Sequence, residues 1–357
     1  MNHPALSAGS SNAALDALHH AVTTGEIALP DDGRVLFLRA RDGHAWIGHS
    51  RESWLCQQSF KPFADALERS GLRVGEPADG ERFSLVLILP PRQREEARAL
   101  YAVAADHLLE GGTVAAAIAN NEGARAGEGD FRQLFGTAQV LSKHHCRVFW
   151  STPPAGDIAA DRLVGWRRLD ELRAIADGRF LSRPGLFAWD RIDPASALLA
   201  EHLPPGLAGR AADLGAGYGY LSVELLQRCP GVRSVDLYEA EARALEPARR
   251  NLESACRTNG REAAFEVFWH DVGRGLPRRY DVIVSNPPFH QGRADQPALG
   301  VAFIEAAARA LEPNGRFLMV ANRHLPYETT LAARFSRVQT LTIRQGFKVF
   351  EASGALA

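Results

Sequence analysis

The 357-residue chain lacks most of the features that would tie it to a membrane, an oxidising compartment or a metal. Its four cysteines, Cys56, Cys146, Cys229 and Cys256, form no CxxC pair and no Cys/His ligand spacing. Neither a disulfide framework nor a zinc site is indicated, and reduced, buried thiols are expected. No apolar run approaches the ~20 residues that span a bilayer. The stretch from Met1 to Val22 has no charged-then-apolar signal layout and reads as a loose end leading into a short helix. A cytoplasmic protein is expected, with no metal and no membrane contact. An excess of one charge is also missing. Lys plus Arg number 41 and Asp plus Glu 42, for a formal net charge of -1. No global basic field draws in nucleic acid, so any such contact must come from local patches.

What is present is a regular alternation of strand and helix signals. Arg210–Leu214 is a short apolar strand running into Gly215-Ala216-Gly217-Tyr218-Gly219. A helix from about Leu221 stops at Pro230-Gly231, and Ser234–Glu239 is a second strand. A helix over about Ala242–Thr258 ends at Asn259-Gly260. Phe265, Val267 and Trp269 alternate in the period of a strand. Tyr280–Ser285 is an apolar run suited to a central parallel strand covered on both faces. A helix near Ala298–Leu311, strand Arg316–Ala321, a helix near Thr329–Phe335 and the strands Val338–Ile343 and Phe347–Phe350 complete the set. The last two strands are joined only by Arg344-Gln345-Gly346, which suits an antiparallel hairpin. The expected fold class is α/β, a mostly parallel Rossmann-like sheet ending in an antiparallel hairpin, the class I methyltransferase layout.

The N-terminal half repeats this plan. Leu87-Ile88-Leu89-Pro90-Pro91-Arg92 matches Val284-Ser285-Asn286-Pro287-Pro288-Phe289. Leu109–Gly112 followed by Thr113–Asn120 matches Leu311–Gly315 followed by Arg316–Asn322, and Arg147-Val148-Phe149 matches Lys348-Val349-Phe350. Strand Arg34–Leu38, however, runs into Arg39-Ala40-Arg41-Asp42-Gly43 with no Gly-x-Gly turn. Leu89 and Arg92 stand where the second copy has Asn286 and Phe289. Two tandem domains are therefore expected, a degenerate first copy over 1–165 and a catalytic one over 166–357. The joint falls near Ser151–Arg168, which holds Pro153-Pro154 and a charged run.

The second copy carries the chemistry. Asp213 opens an Asp-x-Gly-x-Gly-x-Gly turn between strand and helix. Glycine there lets the backbone approach a ligand, which suits a dinucleotide or S-adenosylmethionine. The acidic start, able to accept from an amino-acid end, and Glu239, able to accept ribose hydroxyls 22 positions beyond Gly217, favour S-adenosylmethionine. Asp271 closes the third strand and can accept from an adenine amine or cap a helix. Asn286-Pro287-Pro288-Phe289 follows the fourth strand, at the edge where open α/β sheets bind ligands. An amine on a base ring is a poor nucleophile because its lone pair is delocalised. The Asn286 side-chain carbonyl and the Pro287 backbone carbonyl can accept its two N–H groups. The prolines stiffen the loop. Phe289 offers a face for the base, and such stacking is worth ~1–3 kcal/mol.

These residues resemble the amino-group methyltransferases with Asn/Asp-Pro-Pro-aromatic. Three longer runs sharpen the match: Asn286–Gly292, Val320–Tyr327 (Val-Ala-Asn-Arg-His-Leu-Pro-Tyr) and Gly346–Phe350 (Gly-Phe-Lys-Val-Phe). Together they resemble the ribosomal RNA guanine-N2 methyltransferases, a family of two tandem domains of which the first is degenerate. The resemblance implies that Asp213, Gly215, Gly217, Glu239 and Asp271 bind S-adenosylmethionine and that Asn286, Pro287 and Phe289 hold the guanine. Asn322-Arg323-His324-Leu325 leans to the large-subunit (23S) branch. Leu325-Pro326-Tyr327, Gly346-Phe347-Lys348 and Asn120–Arg125 lean to the small-subunit (16S) branch, which is preferred. The partner is then ribosomal RNA within the small subunit, and a monomer is expected. The competing readings are a release-factor glutamine methyltransferase, an adenine-N6 methyltransferase and a non-enzymatic assembly factor. Lys143-His144-His145 with Arg147, and Arg323-His324 with Arg344, are candidate phosphate contacts.

Overall fold

The computed structural model describes residues 12–43, 51–258, 260, 263–288, 290–291, 294–295 and 297–356. The chain divides into two compact units, Met1–Glu171 and Leu172–Ala357. The division lies six residues beyond the expected 165/166 boundary. Helix packing explains the shift. Trp166 is buried in the first unit's core, with its ring 6.4 Å from that of Tyr101 and the Arg98 guanidinium 5.3 Å above it.

The first unit contains α1 (Ala13–Thr23), β1 (Val35–Leu38), β2 (Trp54–Gln57), α2 (Lys61–Arg69), β3 (Arg73–Val74), β4 (Phe83–Ile88) and α3 (Arg94–His107). It continues with β5 (Leu108–Ala119), α4 (Ala124–Phe135), β6 (Gln139–Lys143), β7 (Cys146–Ser151) and α5 (Ala160–Arg167). The second unit opens with β8 (Arg173–Ile175), β9 (Phe180–Ser182) and α6 (Pro194–Glu201). Then come β10 (Ala208–Leu214), α7 (Tyr220–Arg228), β11 (Gly231–Glu239), α8 (Leu245–Thr258), β12 (Ala264–Trp269) and β13 (Tyr280–Ser285). The short pair β14 (His290–Gln291) and β15 (Ala294–Asp295) precedes α9 (Pro297–Ala310), β16 (Leu311–Asn322), α10 (Tyr327–Arg334), β17 (Phe335–Arg344) and β18 (Phe347–Ala355).

The two large sheets have the same strand order, β3-β2-β1-β4-β5-β7-β6 and β12-β11-β10-β13-β16-β18-β17. In each, the first five strands pair in parallel and the closing hairpin is antiparallel. This is the doubled Rossmann-like plan expected from the sequence. The central strands are apolar on both faces because helices cover both. Val35 and Phe37 enter one core while Leu36 and Leu38 enter the other. Val282 and Val284 likewise face one core and Ile283 the opposite one. β17 is an outer strand whose pairing with β18 is offset between Thr340 and Thr342.

Register makes the repeat exact at the residue level. Leu38 pairs with Gln57 and Ile88, and Leu214 pairs with Tyr238 and Ser285. Arg39 and Arg41 therefore stand where Gly215 and Gly217 stand. Gln58 takes the place of Glu239, and Leu89 that of Asn286. One sequence match moves by a residue. Ile88 faces Ala116 and Ser285 faces Met319, so Ala119, not Asn120, is the counterpart of Asn322. Among the described residues, no helix is long and apolar enough to cross a membrane.

Candidate active site

The turn after β10 is shaped by backbone that side chains disfavour. Gly215, Gly217 and Gly219 have φ of +73°, +54° and +88°. The N–H groups of Gly215 and Ala216 donate to the Tyr238 carbonyl at 2.8 and 3.2 Å, which ties the turn to β11. A Cβ on Gly217 would meet nothing within 4 Å, so this glycine serves conformation and open approach. A Cβ on Gly219 would come within 3.0 Å of Leu252, a packing constraint instead.

Three acidic residues lie around this turn. Glu239 Oε2 accepts from Gly217 N–H at 2.7 Å and Oε1 from Glu241 N–H at 2.8 Å. Burial raises its carboxyl pKa, and the backbone hydrogen bonds oppose the rise. Asp213 is fully buried at the end of β10. Its Oδ2 accepts from Ser222 Oγ at 2.8 Å, and its buried Oδ1 has no partner among the described residues. Burial pushes this carboxyl up to about 7; the Ser222 hydroxyl pulls it down and the Glu239 charge adds to the rise. Asp271 Oδ1 accepts from Gly273 N–H at 2.9 Å, and Oδ2 lies 3.8 Å from Arg274. It caps the turn that follows β12, and the adjacent His270 N–H ties that turn to the Glu239 carbonyl at 2.8 Å.

Asn286 stands just past β13, facing α6. Its Nδ2 donates to Asp193 Oδ2 at 2.9 Å and to Ser196 Oγ at 2.8 Å. Asp193 Oδ2 also accepts from Ser196 N–H at 2.8 Å as the N-cap of α6. An ionised carboxylate only accepts, so the amide nitrogen must face Asp193. Asn286 Oδ1 is thereby turned the other way. It is buried and has no partner among the described residues. Pro287 is buried and Pro288 exposed, while Phe289 lies outside the described residues.

Gly215, Gly217 and Asn286 line one pocket together with Asp193, Ser196 and Phe187. Asp213, Glu239 and Asp271 are not part of that lining; the first two support the turn from within. Asp193, Ser196 and the exposed Phe187 (67%) were not singled out from the sequence. Asp193-Pro194 reads there only as a helix cap followed by a proline at the first helical position. Of the candidate phosphate contacts, Arg147 is paired with Glu128 at 2.6 Å and Arg344 with Glu201. Lys143, His144, His145, Arg323 and His324 are exposed.

A ribosomal RNA small subunit methyltransferase C from Shewanella amazonensis is 30% identical over 315 residues, covering 86% of this chain and 89% of its own. The chain belongs to that methyltransferase family. The small subunit methyltransferase C of Stutzerimonas stutzeri is 38% identical over 221 residues, covering 61% of this chain and 64% of its own. The family described as methyltransferase small domain matches residues 177–351, which fall within the second unit. A solved 16S rRNA N2 methyltransferase of T. thermophilus, in complex with AdoMet and guanosine, superposes with a TM-score of 0.77. It is 27% identical and covers 97% of this chain and 92% of its own. The family inferred from the motifs is thus the family found. The methyltransferase's own residues fit a sulfonium cofactor on two counts: space above Gly217, and an unpartnered acceptor on Asp213.

Proposed function

We propose that this chain transfers a methyl group from S-adenosylmethionine to the exocyclic N2 amine of a guanosine in 16S rRNA. The observation that carries the reading is the clamped Asn286 amide, with its buried Oδ1 lacking a partner among the described residues. A buried acceptor without a donor costs about 1–3 kcal/mol. A substrate amine supplies the donor. The family membership and the superposable guanosine complex point to guanine as the base. When bound, S-adenosylmethionine supplies an electrophilic methyl group. Gly215 and Gly217 would admit its chain, Glu239 would accept from the ribose, Asp213 would take the amino-acid end, and Asp271 would accept from the adenine amine. Asn286 Oδ1 and the Pro287 carbonyl hold the two N–H bonds of the target amine. Holding both would turn its lone pair out of the ring, and alignment would do the remaining work. Phe289 stacks on the flipped base, because an amine inside a helix is out of reach of in-line transfer. The substrate context is the small ribosomal subunit, and the enzyme acts as a cytoplasmic monomer without a metal.

Labelled methyl transfer to 30S subunits, 50S subunits, naked rRNA and release factor tests this. Label in N2-methylguanosine of 16S rRNA is expected. Label in protein or in adenosine alone would overturn the reading. Asn286→Ala should lose about 100-fold or more in turnover while cofactor affinity stays within a few-fold. An equal loss of both would make the loop structural.

A further inference from the structure

The first unit's counterpart of the cofactor cleft has not become a plain apolar core. We propose that it is an anion site that grips a phosphate group of the RNA substrate's backbone. Register puts Arg39 and Arg41 at the positions of Gly215 and Gly217, and Gln58 at that of Glu239. Two glycines have given way to arginines, and a carboxylate to an amide. The sign of the cleft is inverted from ribose-accepting to anion-accepting.

The local charges do not cancel. Arg39 Nη1 is matched by Glu96 Oε1 at 2.6 Å, and Arg92, past β4, lies 4.0 Å from Glu122. Arg41 makes no ion pair within 4.0 Å among the described residues, its nearest counter-charge being the Glu122 carboxylate that already faces Arg92, and its buried Nη1 has no hydrogen-bond acceptor among them. Its guanidinium lies over the Phe63 ring, 3.1 Å from the centroid, so the ring covers one face. Burial, with the neighbouring Arg39 charge, lowers its pKa to about 10 against the opposing pull of the Glu122 carboxylate, so it remains cationic at neutral pH. A largely buried guanidinium with an unmet donor calls for an acceptor with negative charge. A phosphate offers two oxygens that the planar fork of a guanidinium can engage together.

The place in the fold suits RNA. Arg39, Arg92 and Glu122 all follow carboxyl ends of strands in the first sheet. The exposed turn of Lys143, His144 and His145 is on the same edge, since Asn120 N–H donates to the His145 carbonyl at 2.9 Å. Arg39 and Arg92 side chains are 34% and 42% exposed, so both reach solvent. The chain's formal charge of -1 makes such a local patch the necessary source of attraction.

The proposal rests on RNA being the substrate, and its test separates the two. Full-length protein, Arg41→Gln and Arg92→Gln are titrated with a single-stranded 16S rRNA fragment across a salt series, and separately with inorganic phosphate. Arg41→Gln should weaken RNA binding by about 10-fold and lower the slope of log K against log salt by about 0.7. Arg92→Gln, on the exposed rim and safe for folding, should do the same to a lesser degree. Phosphate should raise the melting temperature of the unaltered protein and not that of Arg41→Gln. S-adenosylmethionine affinity should be unchanged in both variants. Unchanged RNA affinity and salt slope in both variants, with wild-type methyl transfer to RNA intact, would overturn the site alone. A stabilising effect of phosphate lost in Arg41→Gln, with no methyl transfer to RNA, would overturn the substrate reading and keep the anion site. An effect of inorganic phosphate alone, with RNA binding unaltered, would mean that the site serves a free phosphate and would overturn the RNA assignment.

Discussion

Asp213 is walled off from water at the end of a central strand, and that raises its carboxyl pKa. Its pKa in the folded chain is about 7, against an ordinary 3.8. The folded value lies above the unfolded one. The group's contribution to stability is therefore full below about pH 4 and is lost as pH rises toward 7. Without cofactor, stability should decline across that window, and Asp213→Asn should flatten the decline in denaturant titrations at pH 5 and pH 7.5. If Asp213 takes the cofactor's amino-acid end, as proposed, the ammonium there favours the ionised carboxylate. Binding at pH 6 should then release up to about one proton, read by calorimetry in buffers of different ionisation enthalpy. Release equal to that of Asp213→Asn would remove Asp213 from the cofactor's contacts. The Asp213–Gly217 turn was readable from sequence because glycines after an apolar strand are a local pattern. The place of Glu239 beside that turn was readable by spacing. That its two oxygens also hold Gly217 and Glu241 N–H was not, since those bonds arise only when β11 pairs with β10.

At the scale of elements, α6 matters most for the site. Its N-cap carboxylate serves the helix and the Asn286 amide at once. Asp193→Ala should cost about 1 kcal/mol of stability through the lost cap. It should also lower turnover by about 10-fold or more, because the amide can then rotate. Asp193→Asn retains an acceptor and should recover most of the turnover. A drop in stability with normal turnover in Asp193→Ala would reduce Asp193 to a cap. Sequence could not pair α6 with the catalytic loop: Asp193 and Asn286 are 93 positions apart, and neither carries a periodic signal of the contact. The strands themselves were legible, Tyr280–Ser285 to the residue, because a strand covered on both faces must be apolar throughout. α7 ends just before Pro230-Gly231, as read, but Gly231 also opens β11, three residues earlier than expected. A Cβ there would crowd Ala208 at 2.6 Å, a contact made by the neighbouring strand and invisible along the chain.

For the whole molecule, two sheets of one topology carry one transfer site. Calorimetry of the full chain with S-adenosylmethionine should give a stoichiometry of about one, as a single-site isotherm, and Gly217→Val should abolish it. A second site persisting in that variant would mean that the first unit still binds cofactor. The duplication was visible in sequence through the Leu-Pro-Pro and Leu-Pro-Pro-like echoes at Leu89–Pro91 and Asn286–Pro288, whereas the reach of the first unit to Glu171 was not. Trp166 falls just past the expected boundary at 165, and only its ring against Tyr101 assigns it to the first unit. The offset in β17 bears on how the protein survives at high concentration. An outer strand of ten residues is a template for joining another copy edge to edge. The break between Thr340 and Thr342, with Arg337 and Arg344 along the strand, spoils the repeat that a fibril would need.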